Sequence, residues 1–158
     1  MVRALNLEVK YGEPYVSRAA QTEFEQKYMI VYNYPEKILT HIPQLGKSIY
    51  IHRDFQPVYE KFLLELINRE LHREIKGNDQ SFCVRYIRGG KDWSIHTWGM
   101  AVDLNPSDNP LGKTRIQAKA MGLTPFTDEF QQCGRDCGLD CGIDFNRPDG
   151  MHFQIKFI

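Results

Sequence analysis

The chain has 158 residues, of which 42% are hydrophobic and 25% are charged, as is ordinary for a soluble globular protein. A chain of this length is expected to form one domain with a proper core. Lys plus Arg and Asp plus Glu each number 20, so the formal net charge is zero. This balance gives no support to a nucleic-acid binder, which more often has a basic excess.

No apolar run approaches the length of a membrane span, and the segment Met1–Glu8 lacks the uninterrupted apolar stretch of a signal peptide. We therefore expect a protein that is made in the cytoplasm without a signal peptide. If the substrate lies outside the membrane, another agent must deliver the protein to it.

The first half of the chain predicts one strand and one long helix, and residues 1–50 carry no obvious chemical signature. Ser48–His52 has the pattern of a strand. The clearest helix is predicted over residues 54–76, with Asp54 as its N-cap, because apolar residues recur there at helical spacing. The segment Gly77–Asp79 is expected to end this helix.

The second half of the chain alternates short elements with loops. Strands are predicted at Ser81–Ile87, Met100–Leu104 and Met151–Phe157. One short helix is predicted over Arg115–Met121. Another is predicted to carry Phe130, Cys133 and Cys137, with Thr127 or Asp128 as its N-cap and Gly138 as its stop. Loops are predicted at Arg88–Asp92 and Asn105–Gly112.

The cysteines have two interpretations. Three of them recur every four residues, which could indicate a metal or cluster motif, but this spacing does not match paired zinc knuckles. Alternatively, Phe130, Cys133 and Cys137 lie on one face of a helix, where the cysteines act as small buried hydrophobes with reduced thiols. We favour this second interpretation for the set Cys83, Cys133, Cys137 and Cys141.

The segment Ser94–Asp103 places an imidazole and a carboxylate seven residues apart. Gly99 marks a break in the backbone between them, because glycine adopts conformations that other residues avoid. In the strand after this break, Ala101 and Asp103 share one face and Val102 lies on the other. The apolar face can pack into a core, and the small Ala101 leaves room beside the carboxylate.

The final strand is predicted to be half buried, with His152 pointing away from its apolar face. His96, Asp103 and His152 then make a plausible set of three zinc ligands that leaves a fourth position to water. Asp149 precedes His152 by three residues and is a candidate general base. Each signal alone has a structural alternative, since a lone His is usually hydrogen-bonded or on the surface, and an Asp after a strand often caps a turn.

Two arginines precede this candidate site in the chain. Arg85 lies in a predicted strand and Arg88 in the loop that follows it. A guanidinium near the site could bind a substrate carboxylate or stabilise an oxyanion, and the alternative is an ordinary surface arginine. Arg85 is the preferred candidate and Arg88 the reserve. The loop that begins at Asn105 could line a substrate groove.

The pattern Ser94-x-His96-x-x-Gly99-x-Ala101-x-Asp103, followed by Asp149-x-x-His152-Phe153, resembles the zinc D-Ala-D-Ala carboxypeptidase and L-alanyl-D-glutamate peptidase family. Asn105-Pro106 and Gly138–Phe145 also resemble this family, although Cys141 stands where an aromatic residue is commoner. The resemblance covers residues 81–158. The two motifs in this order are specific, whereas either one alone is weak.

The resemblance implies one zinc ion held by His96, Asp103 and His152, with Asp149 as the catalytic base. Arg85 would steady the oxyanion, with Arg88 as the alternative. Ser94 would support the site by hydrogen bonding, and Asn105 would bind substrate or support the site. The implied fold is α+β, a small single domain over residues 1–158 in which helices flank an antiparallel sheet (the hedgehog/DD-peptidase-like fold), with its metal-binding half at residues 81–158.

The activity implied is hydrolysis of an amide bond in the stem peptide of bacterial peptidoglycan. Asp149 favours an L-Ala-D-Glu endopeptidase of the bacteriophage endolysin type, because members that trim D-Ala-D-Ala often have Glu at that position. Such an enzyme would wait in the cytoplasm for a holin to open the membrane and would then act on the cell wall as a monomer. The alternatives are a D-Ala-D-Ala carboxypeptidase or dipeptidase, and a non-catalytic wall-binding module of the same fold.

Overall fold

The computed structural model describes residues 2–77 and 81–158, in which helices and short antiparallel strands are joined by turns and irregular segments. The helices are α1 Ala4–Tyr11, α2 Arg18–Tyr28, α3 Glu36–His41, α4 Gln56–Asn68, α5 Arg115–Ala120 and α6 Asp128–Asp136. The strands are β1 Met29–Asn33, β2 Ser48–His52, β3 Ala101–Asp103, β4 Leu139–Cys141 and β5 His152–Ile155. Short 3-10 turns lie at Pro43–Leu45, Leu71–Glu74, Ile95–Trp98 and Gly142–Asp144. The small α+β fold predicted from the sequence is confirmed. No helix in the described ranges is long and apolar enough to cross a membrane.

The strands form two antiparallel sheets. In the first sheet β1 pairs with β2, and in the second the order is β3-β5-β4, so the C-terminal strand is central. Asp103 of β3 lies opposite His152 of β5, and Ala101 lies opposite Gln154. Directly opposite side chains in an antiparallel pair are close neighbours, so this register puts Asp103 beside His152.

Helix α4 packs behind the second sheet through aromatic rings. The ring of Phe62 lies 5.7 Å from that of Phe130 in α6 and 5.2 Å from that of Phe153 in β5, measured between centroids. All three side chains are fully buried. Because side chains alternate along a strand, Phe153 faces this cluster while His152 and Gln154 face away from it. The aromatic packing therefore fixes the strand that carries His152.

Gly99 lies where the second sheet meets the sheet of β1 and β2. Its φ of +64° is left-handed, and its carbonyl accepts a hydrogen bond from the backbone N–H of His52 at 3.0 Å. A Cβ at this position would lie 2.6 Å from Cε of Met29 and 3.1 Å from the backbone nitrogen of His52. The backbone break predicted here is present, and its left-handed conformation favours glycine, while an added Cβ would also crowd the backbone nitrogen of His52.

Several other elements agree with the predictions. The strand Ser48–His52 has the predicted bounds, and the helix predicted over Arg115–Met121 ends one residue earlier. Of the two caps considered for α6, Thr127 is the N-cap, since its side chain accepts a hydrogen bond from the N–H of Phe130. The cysteines are free thiols, and those of the spaced set Cys133, Cys137 and Cys141 are buried, as the second interpretation predicts.

The long helix predicted over residues 54–76 is wrong at both ends. It begins at Gln56 after Phe55, and the carboxylate of Asp54 accepts a hydrogen bond from the hydroxyl of Tyr11 at 2.8 Å instead of capping the helix. It ends at Asn68, because Glu70 adopts a left-handed φ of 59° and a 3-10 turn follows. The apolar spacing continues through that turn, so periodicity alone does not mark the end. Of the predicted stop at Gly77–Asp79, Asn78 and Asp79 lie outside the described residues.

The predicted strand Ser81–Ile87 is also wrong. Apart from an isolated bridge between Tyr86 and Trp93, this segment is irregular. Its backbone forms hydrogen bonds with the 3-10 turn Ile95–Trp98 and the residue before it. The N–H of Cys83 donates to the carbonyl of His96, and the carbonyl of Arg85 accepts from the N–H of Ser94, each at 3.0 Å. These partners replace those of a strand ladder.

The C-terminal strand is shorter and more buried than predicted. It covers His152–Ile155, and each of its residues is buried, whereas Phe157 lies beyond it and is 71% exposed. The polar face is covered because the side-chain amide of Gln154 donates to the carbonyl of Val2 at 3.1 Å. The N-terminal segment thus closes a face that alternation alone assigns to solvent.

Candidate active site

Three short elements bring His96, Asp103 and His152 together. His96 lies on the 3-10 turn Ile95–Trp98, Asp103 ends β3, and His152 begins β5 directly opposite Asp103. The left-handed Gly99 reverses the chain between His96 and the strand. All three side chains are buried. In the described ranges, no other cluster of three or more His, Cys, Asp or Glu side chains could hold a metal ion.

The three ligand atoms form a nearly equilateral triangle. Nε2 of His96 lies 3.2 Å from Oδ1 of Asp103 and 3.2 Å from Nδ1 of His152, and this Nδ1 lies 3.1 Å from the same Oδ1. Tetrahedral ligands at about 2.1 Å from a zinc ion lie about 3.4 Å from one another. The triangle therefore has close to the size that a tetrahedral metal site requires.

Hydrogen bonds on the far side of each ring fix which nitrogen faces the triangle. Nδ1 of His96 lies 2.8 Å from the carbonyl of Ser81, which can only accept, so this nitrogen carries the proton. Nε2 of His152 lies 3.0 Å from Oε1 of Gln154, whose amide nitrogen is turned toward Val2. Both rings thus present an unprotonated nitrogen to Asp103, and three acceptors in contact need a cation between them. The donor set fits a bound metal ion.

The titration behaviour of the cluster agrees with this geometry. Burial alone would raise the pKa of Asp103, but its short contacts with His152 and His96 hold it far below its usual range. Burial would lower the pKa of His152, and the neighbouring Asp103 and Asp149 raise it instead. Both shifts favour an ionised carboxylate in contact with positive charge, which a bound cation supplies as well as a proton does.

Asp149 stands beside the triangle on the loop before β5. Its backbone carbonyl accepts from the N–H of His152 at 3.1 Å, and its own N–H donates to the carbonyl of Gly142 at 2.8 Å. Burial raises the pKa of its carboxyl, and the interaction with His152 opposes the rise. One carboxylate oxygen is buried and has no hydrogen-bond partner among the described groups. A carboxylate with a raised pKa and an uncommitted oxygen suits proton transfer.

Gly142 makes room for both Asp149 and His152. A Cβ at this position would lie 2.4 Å from the carbonyl oxygen of Asp149 and 2.9 Å from Cβ of His152. Real side chains do not approach so closely, so any larger residue must move one of these groups. The close approach of the 3-10 turn Gly142–Asp144 to β5 therefore depends on this glycine.

The structure places Arg85, Arg88 and Ser94 around the cluster. Nη2 of Arg85 lies 3.8 Å from Oδ2 of Asp103, the oxygen that does not face the histidines. Arg88 is exposed, Ser94 is buried, and both line the same cavity as Arg85. The backbone of Ser94 bonds to Arg85 and, through its carbonyl, to the N–H of Thr97, so Ser94 joins the arginine to the turn that carries His96.

Asn105, predicted to bind substrate or to support the site, does not line this cavity. It has a left-handed φ of 47°, and its side-chain oxygen accepts from the backbone N–H of Lys76 at 2.7 Å. Its amide nitrogen donates to the carbonyl of Glu74 at 2.6 Å. Both ends of the side chain are therefore occupied in holding the segment after the 3-10 turn at Leu71–Glu74.

The cavity beside the cluster has a volume of about 280 Å³. Its floor includes Asp103, Asp149 and His152, and apolar side chains such as Ile95 and Met151 form part of its wall. A small cleft with an apolar wall and a few convergent polar groups is typical of sites that bind small molecules or peptides.

Sequence reasoning missed four residues that shape the site: Ser81, Gly142, Arg147 and Gln154. Only Gln154 has a signal, because strand alternation puts it on the same face as His152. Ser81 contributes a backbone carbonyl, which leaves no mark in the sequence. Gly142 and Arg147 matter through tertiary contacts, Gly142 with Asp149 and His152 and Arg147 with Arg88.

Comparison with known families finds one match. Residues 88–155 match the model of a family described as D-alanyl-D-alanine carboxypeptidase. The matched range contains His96, Asp103, Asp149 and His152, and it leaves out Arg85. No curated protein and no solved structure matches the chain. The half of the chain that builds the candidate site is thus similar to this zinc-dependent family, and the match supports a peptidase of the kind that acts on peptidoglycan.

Proposed function

We propose that residues 1–158 form one zinc peptidase domain that hydrolyses an amide bond in the stem peptide of bacterial peptidoglycan. The observation that carries this proposal is the triangle of His96, Asp103 and His152 with Asp149 beside it at the floor of one cavity. Hydrolytic zinc sites combine three protein ligands that bind through nitrogen or oxygen with a nearby carboxylate that is not a ligand.

Zinc is the ion that this donor set favours. Two imidazoles and one carboxylate suit a borderline ion in tetrahedral geometry, whereas Ca²⁺ and Mg²⁺ prefer more numerous oxygen ligands. When bound, the ion supplies Lewis-acid activation of water and of the scissile carbonyl. His96, Asp103 and His152 would hold it, and the hydrogen bonds that the two rings donate to Ser81 and Gln154 would keep both rings oriented.

Asp149 acts as the general base in this proposal. Its uncommitted oxygen accepts a proton from the attacking water and returns that proton to the departing amine. The backbone hydrogen bonds to Gly142 and His152 hold the carboxylate at the floor of the cavity. Arg85, already near Asp103, stabilises negative charge on the carbonyl oxygen as the tetrahedral intermediate forms.

The preferred scissile bond is L-Ala–D-Glu. The support for this choice is the Asp at position 149, where the endolysin-like endopeptidases that the chain resembles also have Asp. As a bacteriophage endolysin the protein would stay in the cytoplasm until a holin opens the membrane, act on the wall as a monomer, and need no nucleic acid. A D-Ala-D-Ala carboxypeptidase is the second candidate, and the description of the matching family favours it.

Mass spectrometry of purified peptidoglycan, after incubation with zinc-loaded protein, tests the proposal. Fragments split between L-Ala and D-Glu that vanish with a chelator support the endopeptidase, and loss of terminal D-Ala supports the carboxypeptidase. An Asp149→Asn variant serves as the matched control, because it leaves the three ligands in place. Zinc binding without any zinc-dependent product from several wall types would instead favour a non-catalytic wall-binding module.

A further inference from the structure

Two arginines at the rim of the cavity have no acidic partner in the described ranges. Arg88 and Arg147 line the cavity, and neither takes part in an ion pair there. By contrast, Arg69, Arg73 and Arg135 each contact a carboxylate on the surface. Unpaired guanidinium groups at a cavity are available to an anionic ligand.

The side chain of Arg147 is held in place between two loops. Its Nη1 donates to the carbonyl of Arg88 at 2.7 Å. A Cβ at Gly89 would lie 3.3 Å from that Nη1, and a Cβ at Gly112 would lie 3.5 Å from Nε. Both glycines have left-handed φ values, of 78° and 80°. The arginine therefore lies across two glycine turns that have no side chains to displace it.

A positioned guanidinium is a good receptor for a carboxylate. One nitrogen of Arg147 is committed to the carbonyl of Arg88, and the other donors of its planar group remain for a ligand. Because the hydrogen bond to Arg88 already restrains this side chain, binding costs less side-chain entropy than it would for an arginine without such a contact. The same hydrogen bond holds the loop that carries Arg88 beside it.

The candidate substrates present a carboxylate close to the bond that is cut. In a terminal D-Ala–D-Ala bond, the residue that supplies the scissile nitrogen has a free carboxylate. In an L-Ala–D-Glu bond, that residue has two carboxyl groups and keeps one free when the other continues the chain. At the floor of the cavity the carboxylate of Asp149 disfavours a second anionic group, whereas Arg88 and Arg147 line the cavity without an acidic partner and attract one.

Resting on the proposed function, we infer that Arg88 and Arg147 form a carboxylate-binding subsite that selects peptides with a free carboxylate on the residue supplying the scissile nitrogen. Arg85 lies deeper, against Asp103, and is separate from this subsite. The subsite determines specificity through substrate binding, and it takes no part in proton transfer.

Paired peptides test this inference. One peptide contains L-Ala–D-Glu with the free carboxylate, and the other contains its carboxamide. Binding is measured by calorimetry with an Asp149→Asn background to prevent turnover. We expect Arg147→Gln and Arg88→Gln each to weaken binding of the acid peptide by about tenfold to a hundredfold and to leave binding of the amide peptide almost unchanged. Arg73→Gln, which removes the same charge from an exposed site, should affect neither peptide.

The two arginine variants separate recognition from structure. Arg88→Gln keeps the backbone carbonyl that Arg147 contacts, so the loop stays held. Equal weakening of both peptides by Arg147→Gln would mean that the residue only maintains the loop, and it would overturn the inference. Equal binding of the acid and amide peptides by the protein with both arginines intact would also overturn the inference and leave the proposed function standing. Binding of neither peptide would overturn the inference together with the L-Ala–D-Glu assignment on which this test rests.

Discussion

Nε2 of His152 and Oε1 of Gln154 lie 3.0 Å apart on the same face of β5. The amide nitrogen of Gln154 is turned away toward the carbonyl of Val2, so the amide cannot rotate without losing a buried hydrogen bond. The N-terminal segment therefore fixes the orientation of a side chain that fixes the tautomer of His152. Partners of this kind tune the metal affinity of a histidine ligand.

This relationship predicts the zinc affinity of two variants. Gln154→Leu removes the acceptor, so we expect the zinc dissociation constant to rise by about tenfold to a hundredfold. Gln154→Glu keeps an acceptor for Nε2, and we expect affinity at least equal to that of the original protein. Competition with a chromophoric chelator measures both values, with circular dichroism to establish that each variant is folded. Equal losses in both variants would show that the tautomer is not controlled by Gln154.

Replacing Asp149 and His152 should separate chemistry from metal binding. Asp149→Asn preserves the triangle of ligands, so zinc content should stay near one ion per chain while turnover falls by about a hundredfold to ten-thousandfold. His152→Ala removes a ligand and should lose the metal itself. Zinc content by atomic absorption and peptide hydrolysis are measured on the same samples. Full activity of Asp149→Asn would rule out its role as the base.

The chemistry of the cluster could be predicted from the sequence more readily than its surroundings. Alternation along two strands and the break at Gly99 were enough to put His96, Asp103 and His152 forward as one ligand set, and the structure does bring them together. These inferences depend only on local backbone geometry and on residue type.

The surroundings depend on contacts between distant segments, which local patterns do not encode. Val2 covers Gln154 from the opposite end of the chain. Ser81–Ile87 has the alternation of a strand, yet its backbone groups bond to the turn that carries His96. Asn105 follows the ligand strand directly, but its side chain satisfies backbone groups of Lys76 and Glu74. In each case tertiary hydrogen bonding overrides the local pattern.

Gly142→Ala is expected to disturb the site without altering any polar group. The added Cβ would lie 2.4 Å from the carbonyl oxygen of Asp149, so the loop or β5 must shift. We expect a loss of about 1–3 kcal/mol in the free energy of unfolding, as for other overpacked sites, and a larger fractional loss of activity. Urea unfolding and peptide hydrolysis measure the two effects.

Gly90→Ala is the matched control for this substitution. A Cβ at Gly90 would make only ordinary contacts, at 3.5 Å from Ile87, and the residue does not have a left-handed φ. The free energy of unfolding of the Gly90→Ala variant should therefore differ little from that of the original protein. If Gly142→Ala and Gly90→Ala gave the same unfolding free energy and the same hydrolysis rate, the close approach of Gly142 to Asp149 would matter for neither stability nor activity.

The burial of His52 predicts that the free energy of unfolding depends on pH, independently of the residues of the candidate metal site. Its side chain is fully buried among the rings of Tyr11, Phe24 and Tyr28, and Nδ1 accepts from the N–H of Asp54 at 3.0 Å. Burial lowers its pKa to about 4, and the nearby Asp54 opposes this shift. The folded protein therefore holds His52 in its neutral form.

The sign of the effect follows from the lowered pKa. Unfolded His52 has a pKa of about 6.5, so between pH 6.5 and pH 4 the unfolded chain binds a proton that the folded chain does not. The stabilisation is complete above pH 6.5 and is lost as the pH falls toward 4, by up to about 3 kcal/mol. His52→Asn keeps an acceptor for Asp54 and cannot titrate, so its unfolding free energy should fall less steeply with pH. Urea unfolding of both proteins at pH 7, 6 and 5 with chelator present compares the two slopes, and parallel slopes would show that His52 does not titrate as its burial requires.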